Sequence, residues 1–148
     1  MADDEVFNLQ ALKGVLKILG LKNLNERVDT VFNGEELVQK VKTAIEEDDP
    51  LRYSLILTDC SMPIKDGYEA AKEVRQLYAG EIEKQRSLEG FPRIIAITGH
   101  VEPDYFKKAF DKGIDKVFPK PLPVLELGEE LQNLGFISEI PQKILNRG

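Results

Sequence analysis

Leu55-Ile56-Leu57-Thr58-Asp59-Cys60-Ser61-Met62-Pro63-Ile64-Lys65-Asp66-Gly67 is a short apolar run that delivers an acid into a turn. Leu55, Ile56 and Leu57 follow one another without alternation, as in strands covered on both faces. Asp59 then falls at the carboxyl end of that strand, where open α/β sheets keep their ligand crevice. Pro63 fixes φ and bends the chain after Met62, and Gly67 gives the turn a dihedral closed to other residues. Two further runs end in chemistry. Ile94-Ile95-Ala96-Ile97-Thr98 stops at a hydroxyl, and Val117-Phe118-Pro119-Lys120-Pro121 stops at a cation. An acid, a hydroxyl and an ammonium on successive strand tips can hold a small hard cation and handle a phosphoryl group.

Outward from these runs, helical and strand patterns alternate, which is the signature of a parallel sheet wrapped on both faces. Leu9, Leu12, Val15, Leu16 and Leu19 recur at helical spacing, predicting a helix over about 5–20 that Gly20 closes. Residues 28–32 predict a strand ended by Asn33-Gly34, and Leu37, Val38, Val41, Ala44 and Ile45 mark the next helix. After the strand at 54–58, a helix starts near Tyr68, with Ala71, Val74, Leu77 and Tyr78 inward. The strand 93–98 leads to a helix from Pro103 through Gly113, then a strand over 114–118 and a last helix over 124–134. Glu46-Glu47-Asp48-Asp49 before Pro50 reads as a helix end in a solvated loop, and 80–90 as a helix end and loop.

With 148 residues, the chain fits one domain with a single main core. The net charge of −6 argues against duplex nucleic acid as a direct partner and suits a site that collects Mg²⁺. A single cysteine, Cys60, excludes an internal disulfide. Neither a membrane span nor a basic-then-apolar leader is visible, so the expected location is cytoplasmic.

At Asp59, Met62-Pro63, Asp66-Gly67, Thr98 and Lys120-Pro121 the chain resembles the receiver domain of two-component response regulators and hybrid histidine kinases. The opening Asp3-Asp4-Glu5 is similar to the family's acidic pair before its first helix. The resemblance implies a flavodoxin-like doubly wound parallel sheet with strand order 2-1-3-4-5, a receiver domain over 1–134 and a tail over 135–148. It implies Asp59 as phosphoacceptor, fed by a histidine kinase or a histidine phosphotransfer protein. Asp3, Asp4, Asp59 and the backbone carbonyl of Ser61 would hold Mg²⁺. Thr98 would bond a phosphoryl oxygen, and Lys120 would pair with Asp59 and then with the phosphate. Lysine suits that post as a point cation. The Lys120–Pro121 bond is expected to be cis, as in the family.

Simpler roles attach to other residues. Asp66 reads as a turn former, Cys60 as a small buried residue and His100 as a loop residue. In the family an aromatic residue often stands three places before the lysine. Here Val117 occupies that place, with Phe118 aimed at the opposite face. Gly99, where the family often has alanine, frees the loop that follows.

The family's first strand is central, yet only Met1 to Asp4 precede the first helix. The expectation is a first strand that is missing or replaced. Three arrangements compete: an incomplete domain, a strand donated by a second copy in a swapped dimer, or the tail at 136–145 entering the slot through a right-handed crossover. Two other functions compete with the phosphoacceptor. A degenerate receiver would bind partners without phosphorylation. A Mg²⁺-dependent phosphohydrolase with an aspartyl-phosphate would need an acid two residues after the nucleophile, where Ser61 stands.

Overall fold

The computed structural model describes residues 1–82, 88, 90–100 and 102–146. Three parallel strands, β1 (Leu55–Thr58), β2 (Arg93–Thr98) and β3 (Lys116–Pro119), lie side by side in chain order. Their register pairs Leu57 with Ile95 and Ala96 with Val117. Seven helices surround them among the described residues: α1 (Val6–Ile18), α2 (Leu24–Arg27), α3 (Gly34–Glu46), α4 (Gly67–Ile82), α5 (Pro103–Asp111), α6 (Val124–Asn133) and α7 (Gln142–Leu145). The fold is the expected α/β one, a parallel sheet with helices on both faces. Of the expected loop at 80–90, residues 83–87 and 89 lie outside the described residues.

Side-chain alternation along the strands divides the interior in two. Ile56, Ile94 and Ala96 point to one face and pack with Leu37 and Val41 of α3 and Ala71, Val74 and Tyr78 of α4. Leu57, Ile95 and Phe118 point to the other, against Leu16 of α1, Leu127 and Leu131 of α6, and Leu19. Val117 and Phe118 part to opposite faces as their alternation predicts. Each fully buried leucine or isoleucine contributes about 1.5–3 kcal/mol.

The central slot is held by the opening residues. Ala2 bridges in parallel to both Val31 and Thr58. Its N–H donates to the Leu57 carbonyl at 2.9 Å, and its carbonyl accepts from the Asp59 N–H at 2.8 Å. On the other side the Val31 N–H donates to the Met1 carbonyl at 2.9 Å and the Asp3 N–H to the Val31 carbonyl at 3.2 Å. Backbone groups that a gap would leave unpaired are therefore satisfied within one chain. The expected strand at 28–32 shrinks for the same reason: its partner is so short that only Val31 bridges.

A replacing tail strand does not form. Gln142–Leu145 is helical, and no described tail residue joins the sheet. Instead Phe136, Ile137, Ile140 and Ile144 lie against the α1 and α6 side of the core. Burying that apolar set there leaves nothing to drive it into a slot already filled. The swapped dimer loses its motive for the same reason.

Element ends moved by a few residues. The first helix stops at Ile18 and is closed by Leu19 and the left-handed Gly20 (φ 104°). The last strand is displaced to Lys116–Pro119 because Ile114 is taken up by the turn after α5, its N–H bonded to the Ala109 carbonyl. Asn33 acts as a cap as well as a turn residue: its side chain accepts from the Glu36 N–H at 2.9 Å, while Glu36 Oε1 accepts from the Phe32 N–H at 2.8 Å.

At the amino ends of β2 and β3 an ion network ties the sheet to its helices. Asp115 Oδ2 accepts from Arg75 at 2.7 Å and from the Ile94 N–H at 2.8 Å. Arg75 also donates to the carbonyls of Gly113 (2.9 Å) and Pro92 (2.7 Å), and Arg93 pairs with Glu130 at 3.0 Å.

Candidate functional site

The opposite ends of the same strands carry the site. Asp59 is the residue after β1, Thr98 the last of β2 and Lys120 the first after β3. Because Ala2 is level with Thr58, Asp3 comes level with Asp59. Strand register alone thus gathers residues separated by more than a hundred positions.

One oxygen each from Asp3, Asp4 and Asp59 lies within 4.8 Å of the others. The Lys120 ammonium stands 3.4 Å from Asp3 Oδ2 and 3.3 Å from Asp59 Oδ2, long contacts for charged partners. Asp3 is buried, and its Oδ1 accepts from the Glu5 N–H at 3.0 Å and from the Asn8 amide at 3.4 Å. Asp59 Oδ1 accepts from the Cys60 N–H at 2.8 Å and the Ser61 N–H at 3.4 Å. Two carboxylates thereby present their Oδ2 atoms to Lys120 while their Oδ1 atoms are fixed by amides.

The charges do not balance. Burial pushes the Asp59 carboxyl above its ordinary value; Lys120 works against that rise and the neighbouring Asp3 adds to it. For the Lys120 ammonium burial acts downward, but Asp59 and Asp3 outweigh it and the proton is held more tightly than in free lysine. A donor set made only of oxygen, in negative excess and partly desolvated, fits a small hard cation such as Mg²⁺.

Thr98 is buried, and its Oγ1 accepts from the His100 N–H at 3.1 Å. Its carbonyl accepts from the Lys120 N–H at 2.8 Å, which carries the sheet's hydrogen bonding up to the lysine. The Lys120–Pro121 bond is cis. His100 stacks on Tyr105 of α5 with ring centroids 4.5 Å apart. Cys60 is a buried free thiol, as expected, and Asp66 Oδ1 caps α4 by accepting from the Glu69 N–H at 2.9 Å.

Two glycines set how closely the loop after Asp59 lies. A methyl group on Gly34 would stand 2.5 Å from the Lys65 carbonyl oxygen, and one on Gly67 would collide with the carbonyl of Asp59. Sequence reading took Gly34 as part of a turn pair and gave Gly67 a dihedral closed to other residues; Gly67 instead opens α4 without a positive φ, and it is the close approach of backbone, not a dihedral, that both glycines serve. Nothing in the spacing of Gly34 or Asn8 signals their contacts. The Lys65 charge, inside an otherwise apolar and turn-forming stretch, was the one visible clue.

Comparisons with known proteins identify the family. The family model described as the response regulator receiver domain matches residues 1–132. The hybrid signal transduction histidine kinase L of Dictyostelium discoideum is 31% identical over 137 residues, 91% of this chain and 7% of that protein. Histidine kinase 1 of Arabidopsis thaliana is 33% identical over 110 residues, 70% of this chain and 8% of that protein. The chain therefore spans a small fraction of the length of these relatives. Among solved structures, the receiver domain of the histidine kinase CKI1 from Arabidopsis thaliana complexed with Mg²⁺ has a TM-score of 0.68 and 26% identity, covering 90% of this chain and 88% of that one. The receiver domain of sensor histidine kinase PA1611 from Pseudomonas aeruginosa PAO1, with magnesium coordinated in its active site cleft, has a TM-score of 0.65 and 26% identity, covering 89% and 91%.

Proposed function

The chain belongs to the response regulator receiver family, and from that premise we propose that it accepts a phosphoryl group from a phosphohistidine onto Asp59. The observation that carries this reading is the meeting of three acid oxygens within 4.8 Å with the Lys120 ammonium between Asp3 and Asp59. In the transfer, an Asp59 carboxylate oxygen forms the new O–P bond as the N–P bond to the donor imidazole breaks. The imidazole leaves with the bonding electron pair and takes up a proton.

Asp3, Asp4, Asp59 and the Ser61 carbonyl would hold Mg²⁺, whose charge, when bound, offsets that of the phosphoryl oxygens. Lys120 neutralises a further oxygen and leaves its pairing with Asp59 as the carboxylate becomes an acyl phosphate, a mixed anhydride. Thr98 turns toward the phosphoryl group so that its hydroxyl donates to a phosphoryl oxygen, and in turning gives up the bond it accepts from the His100 N–H. That exchange releases the loop leading into α5 and shifts the population that partners read. Partners in this reading are a histidine kinase or a histidine phosphotransfer protein in the cytoplasm, acting on a receiver unit at 1–134 that is followed by a tail at 135–148, of which Phe136, Ile137, Ile140 and Ile144 pack against it. The sharing of the chain's matches with histidine kinases supports that partner class.

Incubation with acetyl phosphate and Mg²⁺ tests the reading by intact mass. The expected result is the mass gain of one phosphoryl group, absent in Asp59→Asn and without Mg²⁺. An unchanged mass in the wild type, with acetyl phosphate, beryllofluoride and a histidine phosphotransfer donor all tried, would leave a binding module that works without phosphorylation.

A further inference from the structure

We propose that Lys65 is a positioning residue that clasps the loop after Asp59 onto two helices and so sets the site's affinity for its divalent cation. The inference rests on the reading of Asp59 and Ser61 as cation ligands.

The loop leaves β1 at Asp59 and closes on itself where the Gly67 N–H donates to the Cys60 carbonyl at 2.9 Å. Between these points it stands out from the sheet. Ile64, at its tip, is 82% exposed and sits in the left-handed region at φ 70°. Apolar packing cannot hold such a tip.

Lys65, the next residue, is tied through both its backbone and its side chain. Its N–H donates to the Pro63 carbonyl at 2.7 Å, and its carbonyl accepts from the Gly34 N–H at 2.8 Å. Its ammonium pairs with Glu35 of α3 at 2.6 Å and with Glu73 of α4. Glu35 and then Glu73 hold the lysine proton more tightly than in the free side chain. One cation thus sits between two carboxylates from neighbouring helices that would otherwise repel across the loop.

The geometry makes this clasp more than a surface ornament. Gly34 has no side chain, so the Lys65 carbonyl approaches the start of α3 closely enough to exclude a methyl group. The loop so held carries the Cys60 and Ser61 N–H groups that orient Asp59 Oδ1, together with the Ser61 carbonyl. Lys65 touches neither Asp59 nor the cation position. It acts on the site through the loop.

The test compares wild type with Lys65→Met, Lys65→Arg and the double variant Glu35→Gln/Glu73→Gln. Magnesium chloride is titrated calorimetrically, phosphorylation by acetyl phosphate is followed against Mg²⁺ concentration, and amide exchange is read at Gly34 and Gly67. Lys65→Met and the double variant should weaken Mg²⁺ binding roughly fivefold, the scale of a well-placed but solvent-reached ion pair. They should raise the Mg²⁺ concentration needed for half-maximal rate and leave the rate at saturating Mg²⁺ near that of wild type. Gly34 and Gly67 should exchange faster while Ile95 in the core does not, and Lys65→Arg should restore all three readouts. Unchanged Gly34 and Gly67 exchange in Lys65→Met, or Mg²⁺ affinity in Lys65→Met equal to that of a wild type that binds the ion, overturns the role of Lys65 and leaves the phosphoacceptor reading intact. Failure of the wild type itself to bind Mg²⁺ removes the cation part of both, and amide exchange then separates a loop clasp from none.

Discussion

The two ends of the sheet carry charge in opposite ways. At the amino ends of β2 and β3, Asp115 faces Arg75 at 2.7 Å and a backbone N–H at 2.8 Å, and the Asp115 charge finds its counterpart. At the carboxyl ends, three acids gather beside one lysine, which stands 3.3–3.4 Å from only two of them, Asp59 and Asp3. The first arrangement is complete and holds the fold together. The second is left short of positive charge, and it is stable only because the neighbouring strands fix its backbone. Acids left uncompensated at one end of a sheet are groups that could hold a metal ion.

Breaking the complete end should have the largest effect. Asp115→Ala leaves Arg75 with only its two carbonyl partners and the Ile94 N–H without an acceptor, and should lower unfolding free energy by about 2–3 kcal/mol in urea denaturation. A loss below the experimental error would show that the network merely decorates the surface. Filling the incomplete end comes next. Mg²⁺ at 100 times its dissociation constant should add about 2.7 kcal/mol to stability, and nothing comparable to Asp59→Asn.

Removing one acid from the incomplete end gives a smaller effect of opposite sign to the usual mutation. With its carboxyl held above the ordinary value, Asp59 keeps a proton in the folded chain that the unfolded chain has released. Stability from this group therefore falls as pH rises from the ordinary carboxylate value through the folded one. Without divalent ions, Asp59→Asn should melt a few degrees above wild type at neutral pH, and the two should converge in acid. A mutant that melts lower at pH 7 would mean that Lys120 already balances the site. The smallest effect belongs to a solvent-reached pair outside both ends: Lys112→Ala, which breaks the 2.8 Å contact with Glu69, should change stability by less than about 1 kcal/mol.

Much of this was legible in the chain itself, for reasons that differ from place to place. Residues 93–98 were read to the residue because a strand buried on both faces leaves a continuous apolar run. Asp59, Thr98 and Lys120 were legible because each ends such a run, and parallel register does the rest. The strand at 28–32 was overread: Val-Asp-Thr-Val-Phe alternates well, but a ladder extends only as far as its partner, here Met1 to Asp3. Four-residue helices such as α2 are too short to leave a periodic trace. The tail misled because its apolar residues were weighed as runs. Ile137, Ile140 and Ile144 stand three and then four apart, a spacing suited to one packed side of a turn and helix. At Lys65 the charge was visible in the chain but its partners were not, since Glu35 and Glu73 are brought to it only by how α3 and α4 meet.

The bare backbones of Gly34 and Gly67 have a consequence for how this site can change over time. Neither position needs an unusual dihedral, so a mutation to alanine would look harmless by every local criterion. Yet each would wedge the loop outward by the width of a methyl group, lifting the carbonyl and amides around Asp59 together. Two missing carbons thus work as shims in reverse: the seat of Asp59 is adjusted by what was never added, and drift at either point would shift it without touching Asp3, Asp59, Thr98 or Lys120.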